Sequence, residues 1–192
     1  MKIGCVLLAA GAGRRFGGGK LIASVDGEPM IDHALRLYAS IPFAARVCVT
    51  RAEERAISES ASRSRFSVAV NPDPDRGVGT SVSIGTYRAV SIEPGLDGIL
   101  YAVSDQPYLA RESVMRLVAA FELEPQKIVS LSCAGKRGNP AIFPGRLFRE
   151  LQDLSEDIGG AAVIRRHPDL LICVDAADEK ELQDVDTPEA IG

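Results

Sequence analysis

The chain has 192 residues, of which 46% are hydrophobic and 25% charged, with a formal net charge of -4. That length can bury roughly 70% of its unfolded surface, enough for one full core, so residues 1–192 are expected to form a single domain. The composition excludes a disordered or collagen-like chain. An acidic chain without a basic block is not a primary nucleic-acid binder, although a local basic pocket can still receive a small anion.

In chain order, Lys2 to Ala9 is nearly all apolar and runs straight into glycines, which predicts a strand buried on both faces. Pro29 to Tyr38 has apolar residues at helical spacing. Arg46 to Thr50 reads as a strand, Glu53 to Ser60 as a helix and Phe66 to Val70 as a strand. Asn71-Pro72-Asp73-Pro74-Asp75 is a loop by composition, and Thr80 to Val90 a helix. Gly98 to Val103 is a buried strand cut off by Ser104-Asp105-Gln106-Pro107, and Arg111 to Phe121 an amphipathic helix. Lys127 to Ser132 and Pro140 to Phe143 predict strands, Leu147 to Leu151 and Gly160 to Arg166 helices, and Leu170 to Val174 a last strand. Alternation of strand and helix implies an α/β fold, a mostly parallel sheet between two helical layers. In such sheets ligands sit beyond the carboxyl ends of the strands.

Cys5, Cys48 and Cys173 lie inside apolar strand runs and are expected as buried thiols, while Cys133 precedes a loop. His33 and His167 have no partners at ligand spacing, which argues against a zinc site. The apolar start, Ile3 to Ala10, is too short to span a membrane and has no signal-peptide cleavage pattern. Free thiols and no membrane segment lead us to expect a soluble cytoplasmic protein.

The segment Leu8-Ala9-Ala10-Gly11-Ala12-Gly13-Arg14-Arg15-Phe16-Gly17-Gly18-Gly19-Lys20 leaves the first strand. It fails the Walker A pattern, which needs glycine where Arg14 stands and Ser or Thr where Leu21 stands. It also fails the dinucleotide pattern, because Phe16 occupies the position of the third glycine. Its chemistry still suits phosphate: small residues let backbone N–H groups approach an anion, and Arg14, Arg15 and Lys20 supply charge. A flexible solvated loop with incidental basic residues is the alternative.

The same segment resembles the signature of the MobA-like nucleotidyltransferases, and its LAAG form resembles their molybdenum-cofactor cytidylyltransferase branch. Guanylyltransferases of the family usually carry LAGG, with glycine at the place of Ala10. The resemblance implies the nucleotide-diphospho-sugar transferase type of Rossmann-like α/β/α sandwich. It implies that Leu8, Ala9, Ala10, Gly11 and Gly13 wrap the triphosphate, with Arg15 and Lys20 on the phosphates.

Two carboxylates extend the resemblance. Asp105 follows a buried strand and Asp186 lies in Asp184-Val185-Asp186-Thr187-Pro188-Glu189, so both can face one cleft. Carboxylates on a water-filled cleft suit Mg²⁺, which shares its ligands with phosphates. A turn aspartate before Pro107 and an Asx turn or helix cap at Asp186 are the structural alternatives. Ser104-Asp105-Gln106-Pro107 is similar to the family's G-D-Q-P, and the closing segment to its D-I-D-T-P-E. The resemblance implies Mg²⁺ on Asp105 and Asp186, with Ser104 departing from the usual glycine or cysteine.

Asn71-Pro72 through Gly85 resembles the cytidylyltransferase pattern N-P-x-x-x-x-G-x-x-x-S-x-x-x-G, and the guanylyltransferase G-P-L-A-G is absent. Thr80 and Ser81 can bond a base or phosphate, or simply cap a helix. The resemblance implies that Asn71, Thr80, Ser81 and Gly85 belong to the nucleotide site. Gly135 to Phe143 resembles the family's R-G-x-P-x-x-F, and Glu156 to Ala161 its G-D-x-G-A, with Glu156 for the first glycine. In the family these segments line the second substrate's side; a hairpin and a capped helix are the plain alternatives.

The resemblance runs from Ile3 to about Ala190. It implies Mg²⁺-dependent transfer of CMP from CTP to molybdopterin or its molybdenum form, with Lys20, Arg15 and Asp105 catalytic and a molybdoenzyme as possible client. A guanylyltransferase, a sugar-phosphate or methylerythritol-phosphate nucleotidyltransferase, and a non-catalytic cofactor carrier are the alternatives.

Overall fold

The computed structural model describes residues 1–11, 13 and 16–187. Seven strands form one sheet in the order β5-β4-β1-β6-β8-β7-β9. They are β1 (Ile3–Ala9), β4 (Ala45–Arg51), β5 (Ser67–Asn71), β6 (Gly98–Val103), β7 (Ile128–Cys133), β8 (Lys136–Pro144) and β9 (Leu171–Asp175). β1 is central and parallel to both β4 and β6. β8 alone among the seven runs against its neighbours, β6 and β7. The reversal is made at Ala134 and Gly135, both with positive φ (49° and 75°), which suits a tight hairpin. The sheet is thus mostly parallel, as the alternation of elements predicts.

Successive side chains of β1 go to opposite cores, as the pleat of a strand requires. Cys5 and Leu7 join Leu35 of α1 (Met30–Ala39), Ile57 of α2 (Arg55–Arg63) and Leu117 of α4 (Arg111–Leu123). Val6 joins Val82 of α3 (Val78–Ile92), Leu151 of α5 (Phe148–Gln152) and Val163 of α6 (Gly160–Arg166). The result is three layers, α/β/α, with β1 buried on both faces. Among the described residues no helix is long and apolar enough to cross a membrane.

The structure corrects the sequence reading in several places. α3 begins at Val78 rather than Thr80, and β8 begins at Lys136 rather than Pro140. A small antiparallel hairpin of β2 (Ser24–Val25) and β3 (Glu28–Pro29) was not expected. Cys5 and Cys48 are buried, but Cys173 is exposed: on edge strand β9, Ile172 and Val174 pack against the core and the alternation of the strand turns Cys173 to the other face. Burial pushes the Cys48 thiol up to about 12 and raises the Cys5 thiol as well, so both stay protonated.

Candidate functional site

The carboxyl ends of β1 and β6 open into a cavity of about 590 Å³. Leu8, Ala10, Gly11, Gly13 and Lys20 line it from the glycine-rich segment, and Pro74, Val78 and Ser81 from the far side. Val103, Ser104 and Asp105 form the end of β6, and Asp157 and Asp186 complete the rim. The cavity therefore brings together seven of the expected residues from the loop and the acidic segments, with Ser81. Ser104 ties the two strand ends by donating from Oγ to the Leu8 carbonyl at 2.7 Å.

Lys20 is the electrostatic centre. Its ammonium donates to Asp105 Oδ2 at 2.6 Å and to Asp186 Oδ1 at 2.8 Å. Lys20 is only 8% exposed. Burial alone favours the neutral amine, but the two carboxylates outweigh it and hold the pKa above the ordinary lysine value. Gly13 makes this placement possible: its φ is +54°, and a Cβ there would come within 3.0 Å of Lys20 Cβ.

Asp105 keeps a second oxygen for other work. Its Oδ1 is buried and has no hydrogen-bond partner among the described residues. A buried, unpartnered carboxylate oxygen beside a second carboxylate is the donor set a hard divalent cation takes. Among the described residues no three His, Cys, Asp or Glu side chains form a metal cluster. The fit is thus to a cation completed by substrate oxygens and water, not to a closed protein cage.

The chain's late segment is fixed in place by contacts that sequence spacing did not reveal. Val185 N–H donates to the Asp105 carbonyl at 3.0 Å, and Gln106 Nε2 donates to Asp184 Oδ1 at 3.0 Å. Val185 is buried with Val25 and Met30 in a small core of its own. Buried Glu181 accepts from the N–H groups of Ala110, Ala177 and Asp178 at 3.1–3.2 Å. Asp184, beside these groups, is held above the usual carboxylate range, first by burial and then by the Asp105 charge.

Other expected residues support the cavity without lining it. Ala9 is buried in the core. Asn71 donates to Thr80 Oγ1 at 2.8 Å and Ser81 Oγ at 2.9 Å, while its own Oδ1 accepts from Asp73 N–H. Thr80 donates to the Gly77 carbonyl at 2.7 Å. Gly85 lies inside α3 against the sheet, where a Cβ would stand 2.4 Å from Val6 Cγ1. Arg14 and Arg15, expected at the phosphates, lie outside the described residues, as do Pro188 and Glu189 of the closing motif.

A second cavity of about 260 Å³ shares Leu8, Val78 and Val103 with the first. It gathers Arg137, Gly138 and Asn139 from β8 with Gly159 to Ala161 at the start of α6. Two segments distant in sequence therefore meet beside the main cavity. Beside them, Gly77 (φ +120°) lets the start of α3 approach the backbone of 156–157, where a Cβ would clash at 2.4 Å.

Comparison with known proteins gives the same architecture. The chain is 31% identical to the purine catabolism protein PucB of Bacillus subtilis, over 96% of this chain and 91% of that protein. It is 30% identical to nicotine blue oxidoreductase of Paenarthrobacter nicotinovorans, over 96% and 92%. The crystal structure of Rv0371c from Mycobacterium tuberculosis superposes with a TM-score of 0.82 over 99% of this chain and 96% of that one, at 24% identity. A manganese complex of Rv0371c is similar too, with a TM-score of 0.77 at 22% identity. Residues 5–170 match the MobA-like NTP transferase domain. The chain belongs to that family of nucleotidyltransferases.

Proposed function

We propose that this protein transfers CMP from CTP to the phosphate of molybdopterin or its molybdenum form and releases pyrophosphate. The convergence of Lys20, Asp105 and Asp186 at the rim of the larger cavity carries the reading. The acceptor phosphate oxygen attacks the α-phosphorus, and the bond from that phosphorus to the bridging α–β oxygen breaks. An ionised phosphate is already a nucleophile at neutral pH, so no protein nucleophile is required.

The chain's own groups bind and orient. The glycine segment offers backbone N–H groups to the triphosphate. Lys20, released from its carboxylates, supplies a compact positive charge to the pyrophosphate as it departs. Arg15 adds charge to the phosphates in the same reading. Asp105 and Asp186 would hold a divalent cation, Mg²⁺ in our reading, which when bound neutralises charge at the reacting phosphates. Ser81, held by Asn71, faces the nucleotide, while Thr80, Gly85 and Ala9 brace the walls. Arg137 and Asn139 face the acceptor in the smaller cavity, which adjoins the first. Catalysis of this kind is mostly positioning and electrostatics.

The cytidine assignment is supported by Ala10 and by the absent G-P-L-A-G. One assay tests it: pyrophosphate release from CTP, GTP, ATP and UTP with Mg²⁺, with and without purified molybdopterin. Release with CTP only when the acceptor is present is expected. Strong release with GTP overturns the base assignment and leaves the transfer. The relative named nicotine blue oxidoreductase favours a second reading, an oxidoreductase on this fold. Folded protein that turns over no triphosphate with any acceptor phosphate would leave that reading standing.

A further inference from the structure

Arg51 lies beneath the larger cavity and joins two of its walls. It ends β4, pairs in register with Asn71 of β5, and follows Thr50, which pairs with Ala9 of β1. Its side chain is 14% exposed, against 66% for Glu53 and 60% for Asp75. The guanidinium is thus packed between strand ends while its acidic partners reach toward solvent. Nε donates to the Ala10 carbonyl at 2.9 Å. The terminal nitrogens donate to Asp75 at 2.7 Å and to Glu53 at 3.3 Å.

These acceptors belong to different walls. Ala10 and Gly11 form the floor of the glycine segment, and Pro74, which precedes Asp75, forms the opposite side. A trans peptide is planar, so its carbonyl and its N–H point in opposite directions. Holding the Ala10 carbonyl on Arg51 therefore aims the Gly11 N–H away from the guanidinium. Only a planar fork with several fixed donors can satisfy a carbonyl on one side and carboxylates on the other.

We infer that Arg51 is a positioning residue for the nucleoside triphosphate: it sets the span between the Ala10–Gly11 wall and the Pro74 turn and presents the Gly11 N–H to the ligand. This rests on the nucleotide reading above. It touches no reacting atom, and it does not line the cavity.

Isothermal titration of CTP with saturating Mg²⁺ tests it on wild type, Arg51→Ala, Arg51→Lys and Glu53→Ala. Both Arg51 variants are expected to bind about tenfold more weakly, the size of one lost charge-assisted hydrogen bond. Glu53→Ala, which removes only the solvent-side partner, is expected to stay within about twofold. In the pyrophosphate assay the nucleotide KM rises by the same factor while kcat stays within about twofold, the pattern of lost uniform binding. A purely structural Arg51 would lower the melting temperature and leave the Kd of folded protein unchanged. Wild-type affinity in Arg51→Lys, which keeps the charge and loses the fork, overturns the inference alone. Wild-type protein that binds neither CTP nor GTP overturns the nucleotide reading with it.

Discussion

An ammonium buried beside two carboxylates is held in its charged form by them. Lys20 holds that place against Asp105 and Asp186, and the unpartnered Asp105 Oδ1 points to a further cation. Replacing Asp105 by Ala leaves Lys20 with one partner and removes that oxygen. Activity is expected to fall by at least about a hundredfold while the circular dichroism spectrum stays native, which a pyrophosphate assay and a melt on one preparation check. Near wild-type activity would remove Asp105 from the site. Asp184 makes a different prediction. Its folded-state pKa is raised, so it favours folding below its unfolded value and opposes folding once pH rises through the folded one. Asp184→Asn keeps an oxygen for Gln106 and carries no charge. Metal-free variant should therefore melt higher than wild type at pH 7, by roughly 1–2 °C, with the gap closing near pH 3.5. A variant that melts lower at pH 7 would contradict the assignment.

At the scale of elements, the site is a set of strand ends held by loops. Strand β1 and its glycine exit were plain in the sequence, because a run buried on both faces cannot alternate and glycines end it abruptly. So was Asp105, placed at the carboxyl edge by the buried run before it. The hairpin of β2 and β3 had a readable signal in Asp26-Gly27, whose φ angles of 50° and 88° suit a two-residue turn, but its strands are too short for periodicity. The tether of the late segment had one local signal, the Asp178-x-x-Glu181 capping box, but its bond to Ala110 had none. Glu181 reads as a surface acid in a charged stretch, yet it is buried against its own Ala177 and Asp178 N–H groups and the distant Ala110 N–H. Glu181→Ala opens the capping box and takes the acceptor from the Ala110 N–H, and should cost about 1–2 kcal/mol in urea unfolding, together with a loss of activity as Asp186 drifts. Unchanged stability would mean that the segment is held by Val185 and its small core alone.

At the scale of the whole molecule, topology does what spacing cannot. Lys20 and Asp186 are 166 positions apart and bond because β1 and β6 are neighbours in the sheet and the late segment is tied to Asp105 and Gln106 beyond β6. The sequence therefore revealed the layers and the separate acidic motifs, but their meeting at one lysine rests on strand order. Strand order also explains the misread thiol. Cys173 sits in an apolar run like that of β1, but β9 is at the edge of the sheet, where Ile172 and Val174 meet the core and Cys173 turns to the other face. Arg51 was silent for the same reason: it acts through strand ends that approach only in the folded sheet.

The central claim is nucleotidyl transfer at the cavity where Lys20, Asp105 and Asp186 meet. Incubating the protein and Mg²⁺ with CTP labelled at the α-phosphate and with molybdopterin tests it most directly. The account predicts that label moves onto the acceptor in step with pyrophosphate release, and that both stop in Asp105→Ala. Label recovered as free CMP at the same rate without acceptor would contradict it, as would label left in CTP by protein shown to be folded.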